Sequence, residues 1–155
     1  MINLKNIMVP VDFSEDSRKA LTYGISLAGN YRAKLHIVNI IDDRIYDDNL
    51  FMVYAEQEIR DNRQKVVQGK LDEMLTEAKN LHPEVEAINA VQFGIAFVAI
   101  IKYARDNDVD LIIMGSHGHT GIAHVLIGST TEKVVRKAPC PVLVIRPRER
   151  EFVLP

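Results

Sequence analysis

Two hydrophobic rhythms alternate along the chain. Residues 7–11, 33–41, 111–114 and 142–145 are short apolar runs rich in β-branched side chains, and 85–93 alternates apolar with polar. Runs of this length, closed by proline, glycine or charge, predict strands. Between them apolar residues return at helical spacing. Leu21, Gly24 or Ile25, Ala28 and Tyr31 predict one helix, opened by Ser14-Glu15-Asp16-Ser17 with its capping hydroxyls and first-turn acids. Ile59, Val66 or Val67, Leu71, Met74 or Leu75 and Ala78 predict a long helix over about 53–80, weakened slightly by Gly69 and stopped before Pro83. Val98, Ile101 and Ala104 or Arg105 predict a third over 95–107, and a fourth is expected at about 130–137. Residues 42–49 are acidic and irregular and read as a surface loop.

Strands alternating with helices imply an α/β fold with a parallel sheet covered on both faces. The strands have no clean polar side, as burial on both faces requires. Crossovers should be right-handed. The pattern alone leaves the strand order open.

The stretch 114–133 breaks both rhythms. The apolar run 111–114 stops at Gly115, glycines follow at Gly118, Gly121 and Gly128, and Ser129-Thr130-Thr131-Glu132 has the form of a capping box opening a helix. Glycine permits close backbone approach and positive φ. A helix N-terminus presents unpaired amides and partial positive charge, which suits a phosphate. The connection is also longer than most. The plainer reading of these glycines is turn punctuation.

Gly115, two residues, Gly118, nine residues, Gly128 and a hydroxyl residue resemble the nucleotide-binding signature of the universal stress protein family, in its ATP-binding branch. The runs 7–12, 110–118 and 138–145 are similar to that family's opening strand, fourth strand with its loop, and closing strand. The resemblance covers nearly the whole chain. It implies a single Rossmann-like domain over 1–146, followed by a tail at 147–155. The implied sheet has five strands in the order 3-2-1-4-5, so the strands ending at Asp12 and Gly115 lie side by side. Ligands bind where the winding of such a sheet reverses.

On this resemblance Gly115 and Gly118 meet a phosphate chain, and Gly128, Ser129 and Thr130 hold its end through amides and hydroxyls. Asp12 accepts from the ribose or reaches Mg²⁺ through water; its plainer role is to cap the next helix. Pro10, Val11, Ile40 and Met114 line the adenine side, and are core residues in any case. His117 and His119 lie near the phosphates and add pH dependence, or are simply exposed loop histidines. With His124 they match no strong zinc spacing. Glu132 is read as structural and turned away from the site. Cys140, between two prolines, is read as packing.

Composition narrows the rest. The 155 residues suit one sizeable core, with 47% apolar and 26% charged residues. A net charge of −2 gives no nucleic-acid footprint. No apolar run is long enough to span a membrane, the first six residues lack a signal-peptide layout, and one cysteine permits no internal disulfide. A cytoplasmic protein is expected. Walker, dinucleotide and nucleophile-elbow motifs are absent, as are the His-Ile-Gly-His and Lys-Met-Ser-Lys-Ser motifs of adenylate-forming relatives. Binding is therefore favoured over catalysis.

The apolar strand Val142, Leu143, Val144 and Ile145 is an edge that invites pairing; the resemblance implies a homodimer through it. Phe152 and Leu154 in the tail are either disordered or docked on the partner. The expected function is an ATP-binding, Mg²⁺-assisted module in stress response and signalling. A slow ATPase or phosphotransferase and a dimeric interaction protein with an empty site are the alternatives.

Overall fold

The computed structural model describes residues 1–42, 50–118 and 127–146, with backbone alone over 50–56. The elements run β1 (Asn6–Pro10), α1 (Glu15–Tyr31), β2 (Lys34–Ile41), α2 (Leu50–Leu81), β3 (Ala87–Phe93), α3 (Ala96–Asp106), β4 (Leu111–Gly115), α4 (Ser129–Lys137) and β5 (Val142–Ile145). The expected strands and helices are all present, with ends shifted by at most three residues.

The five strands form one parallel sheet in the order β3-β2-β1-β4-β5. Ile7 pairs with Leu35 on one side and Leu111 on the other, which places β1 at the centre. The β1–β4 ladder holds over Ile7↔Leu111 and Met8↔Ile112. Pro10, at the β1 tip, has no N–H to continue it. This is where the winding reverses and where a crevice is expected.

Alternation along the strands feeds two cores. Ile7, Val9, Leu35, Ile37 and Ile113 pack with Ala20, Leu21, Ile25 and Ala28 of α1 and Leu71, Met74 and Ala78 of α2. Met8, Val38, Ile112 and Met114 pack with Ile100, Tyr103 and Ala104 of α3 and Val134 of α4. Gly24 is a contact glycine. A Cβ there would lie 2.5 Å from Val9 Cγ2.

Three details depart from the sequence pattern. In α1, Tyr31 is exposed and the buried face ends at Ala28. In α2, Ile59 and Val66 are exposed, and the buried stripe begins at Val67 and Leu71. A helix of 32 residues is about 48 Å long, whereas the eight-residue β2 spans roughly 26 Å. One end of α2 therefore outruns the sheet. In α3, Val98 is exposed and the buried residues are Ile100, Tyr103 and Ala104.

Candidate functional site

The corner after β1 is held by buried polar groups. Asn39, 6% exposed on β2, donates from Nδ2 to the Val11 carbonyl at 2.8 Å, and Val11 N–H donates to Val38 O. Asp12 Oδ1 accepts from Ser14 N at 3.0 Å and from Ser14 Oγ. Ser14 caps α1 by accepting from Ser17 N, and Ser17 Oγ donates to Ser14 O. The capping role weighed for Asp12 is thus filled by Ser14, which Asp12 braces. Between them Phe13 sits at φ 67, a left-handed conformation that costs about 1 kcal/mol for a non-glycine residue.

The tip of β4 docks on the first turn of α1. A Cβ at Gly115 would lie 2.8 Å from Asp16 Cβ and 2.9 Å from its backbone carbon. Ser116 is fully buried; its N–H donates to Ile145 O, and its Oγ lies 3.4 Å from Asp16 Oδ2 and 2.9 Å from His117 Nδ1. The same Asp16 oxygen accepts from His117 N at 3.1 Å and lies 3.6 Å from His117 Nδ1. Thr131 Oγ1 donates to Gly115 O at 3.0 Å. One carboxylate oxygen therefore gathers the start of the loop.

The start of α4 differs from the expected capping box. Its N-cap is Gly128, so Ser129 is the first helical residue, and no side chain caps the helix. Glu132 is exposed, pairs with Arg136 at 3.0 Å and does not line the cleft, in line with the structural role read for it. Gly128 N–H donates to Ser116 O at 2.7 Å, and the residue lines the cleft. The first intrahelical bond shown at this end runs from Glu132 N to Gly128 O, so the amides of Ser129, Thr130 and Thr131 have no acceptor within the helix.

None of Gly115, Gly118 and Gly128 uses the positive φ open to glycine; among the described residues Gly94 is the glycine that does, at φ 114. They are needed for space. A Cβ on Gly118 would lie 2.7 Å from Asp12 Oδ2, and one on Gly128 would lie 3.3 Å from Ser116 O. The tips of β1 and β4 are thus in contact range.

These segments enclose a cleft of about 260 Å³, near the lower bound of small-molecule sites, roughly 300 Å³. Pro10, Val11, Asp12 and Ile40 line it from β1, its turn and β2. Met114, Gly115, His117 and Gly118 line it from β4 and its loop, and Gly128, Ser129 and Thr130 from the α4 end. Every sequence candidate among the described residues lies on this one cleft. Four lining residues were missed: Ser17, Ala96, Ile100 and Thr131. Thr131 directly follows the hydroxyl pair and was within reach of the sequence; Ala96 and Ile100 depend on how α3 packs. Gly121, His119 and His124 lie outside the described residues.

Part of the lining is apolar, through Ile40, Ala96, Ile100 and Met114, and part is polar, through Asp12, His117, Ser129, Thr130 and Thr131. No Lys or Arg lines it among the described residues, and no group of three or more His, Cys, Asp and Glu there could hold a metal ion. Ser116, His117 and Asp16 are not a hydrolytic triad, since Ser116 is fully buried and both partners face the same ring nitrogen. Burial, then the charge of Asp110, raises the Cys140 thiol above its ordinary range, so it is a poor nucleophile.

Comparison with known proteins agrees with this fold. Residues 3–146 match the model of the universal stress protein family. The universal stress protein MJ0577 of Methanocaldococcus jannaschii is 31% identical over 155 residues, spanning 92% of this chain and 94% of the relative. Its solved structure superposes with a TM-score of 0.84 at 29% identity, covering 97% of this chain and all of that one. Universal stress protein UspA from Lactobacillus plantarum also gives a TM-score of 0.84, at 27% identity, covering 94% and 100%. A universal stress protein solved in complex with cAMP shares the fold, with a TM-score of 0.62 at 21% identity and coverage of 95% and 100%. The chain belongs to the universal stress protein family.

Proposed function

We propose that the cleft binds an adenine nucleotide, ATP with Mg²⁺ foremost, and that the protein works as a nucleotide-dependent module in stress response and signalling. One observation carries this reading: apolar side chains, the N-terminal residues of α4 and the Asp12 carboxylate all line a single cleft. The slot of Ile40, Ile100 and Met114 suits a purine. The Ser129, Thr130 and Thr131 amides and the Ser129 and Thr130 hydroxyls suit phosphate oxygens. Asp12 suits ribose hydroxyls, or Mg²⁺ through water; the metal travels with the phosphates. A structure of the same fold was solved with cAMP, an adenine ligand.

In this reading residues 1–146 form the nucleotide-binding unit and 147–155 a tail. The protein is a cytoplasmic homodimer joined through β5, with neither nucleic acid nor membrane as a partner. Among the described residues, no helix is long and apolar enough to cross a membrane. Nucleotide stabilises one arrangement of the loop after β4, which works as a switch only if a partner distinguishes the two states.

Mass spectrometry of small molecules released from the purified protein tests the reading. An adenine nucleotide near one equivalent per chain, lost on widening the slot by Met114→Ala, is expected. Protein that carries none and takes up none on incubation would overturn it.

A further inference from the structure

Past Pro10 the chain leaves the sheet, and the peptide unit that joins Val11 to Asp12 is held at both ends by side chains. Its carbonyl accepts from Asn39 Nδ2 at 2.8 Å, and its N–H donates to Ser17 Oγ at 3.3 Å. A carbonyl oxygen only accepts, so Asn39 must present its NH₂ group here. The one hydroxyl proton of Ser17 goes to Ser14 O at 3.0 Å, which turns a lone pair to the Asp12 N–H. Asn39 and Ser17 are both buried, and they come from β2 and α1 respectively. The peptide plane is thereby tied between strand and helix, which sets the direction of the Asp12 side chain. Its carboxylate gives Oδ1 to Ser14 and carries Oδ2 beside Gly118. The next residue, Phe13, holds the left-handed φ of 67 with its side chain packed against the core. Such a residue persists only where its surroundings over-determine it.

From this two-ended grip we infer that Asn39 is a positioning residue for the cleft, aiming the Asp12 carboxylate at a bound nucleotide. This rests on the nucleotide-binding reading and extends it to a residue that does not itself line the cleft. A buried polar side chain adds only modest net stability, since its bond replaces one to water. What it supplies is a single geometry. Without the Asn39 amide the Val11 carbonyl loses its side-chain partner, and the longer bond to Ser17 is left to hold the peptide. Phe13 then relaxes toward an ordinary φ, and the Asp12 carboxylate swings from its place. Ile40, the neighbour of Asn39, lines the cleft through its own side chain, so the two routes from β2 to the ligand need separating.

Calorimetric titration with ATP and Mg²⁺ of the wild type, Asn39→Ala, Asp12→Asn and the double variant separates them. Asp12→Asn keeps an oxygen for the Ser14 N–H, so the corner stays braced. Groups that orient a ligand's direct contacts are worth about 10–100-fold at metal sites, and Asn39→Ala should lower affinity by about tenfold. In the Asp12→Asn background the same change should lower it by less than about threefold, because no carboxylate is left to aim. Millimolar ATP carries the isotherms of the weakened proteins to saturation. Should Asn39→Ala fail to fold, Ser17→Ala releases the other end of the peptide and enters the same cycle. Equal losses in the two backgrounds would place the effect on Ile40 or on general loosening and overturn the inference. An Asn39→Ala or Asp12→Asn protein that binds like the wild type would overturn it as well. Each of these results leaves nucleotide binding standing. No binding by the wild type would instead sink the reading beneath it.

Discussion

Gly115→Ala and Gly118→Ala, three positions apart in one signature, should fail in different ways. At Gly115 the new methyl carbon meets Asp16 Cβ at 2.8 Å, its backbone carbon at 2.9 Å and its carbonyl oxygen at 3.0 Å. Ordinary carbon contacts are about 3.5 Å or more, so the first turn of α1 must retreat by roughly 0.7 Å. Overpacking of this kind costs about 1–3 kcal/mol. Weakening the bond from His117 N to Asp16 adds about 1 kcal/mol. A total of roughly 2–4 kcal/mol lowers the melting temperature by about 4–16 °C in a chain of this size. At Gly118 the close neighbour is one carboxylate oxygen, Asp12 Oδ2 at 2.7 Å, and the next atom is at 3.9 Å. The carboxylate can turn, so stability should change by less than about 1 kcal/mol. Nucleotide affinity should nevertheless fall tenfold or more, because a displaced Asp12 and a narrower cleft act on the ligand (about 1.4 kcal/mol per factor of ten). Thermal melts without ligand, paired with binding isotherms, separate the two. A Gly115→Ala protein that melts with the wild type, or a Gly118→Ala protein that is the less stable of the pair, would refute the packing reasoning.

Further outcomes follow from other parts of the molecule. Gly69→Ala, at an exposed helical position with nothing within 4 Å of the added methyl, should stabilise α2 by about 0.5–1 kcal/mol, seen as a higher urea midpoint. His36 is 3% exposed, holds Tyr103 OH at 3.0 Å and leaves Nε2 with no partner. Burial first, then Lys34, lowers its pKa from the ordinary 6.5, against an opposing effect of Glu86. The unfolded chain therefore binds the proton more readily, and stability that is complete above pH 6.5 is lost as pH falls toward the depressed value. His36→Phe should flatten that decline in urea midpoints between neutral and mildly acid pH, and an unchanged slope would remove His36 as its source. Leu143 is 37% exposed on the edge strand β5. Leu143→Glu should turn a wild-type dimer into a monomer in sedimentation velocity, while a wild-type monomer would rule out pairing through β5.

The strands and helices were legible because each has a clean period and a clear stop. The limits of that legibility are physical. Residues 96–101, Ala-Phe-Val-Ala-Ile-Ile, are apolar all round, so the periodicity of α3 does not choose a face. Packing on the sheet does, and brings Tyr103 to His36. The long stripe of α2 read correctly only where a sheet lies beneath it. Gly115 and Gly118 were found by spacing, but the packing need for glycine there was not legible, because the neighbours that crowd a side chain are Asp16 and Asp12, about a hundred positions earlier. Asp16 itself read as a first-turn acid; its bond to His117 N joins residues 101 apart, and no local pattern carries that. The side-by-side tips of β1 and β4 came from family resemblance, since strand order is not written in periodicity.

Titration of wild-type protein with ATP and Mg²⁺, followed by calorimetry and by melting temperature on the same sample, tests the nucleotide site most directly. Saturable heat near one nucleotide per chain is expected, with a rise in melting temperature equivalent to about 2.7 kcal/mol at a hundredfold excess over Kd. No heat and an unmoved melting temperature, for ATP and for cAMP alike, would contradict the account.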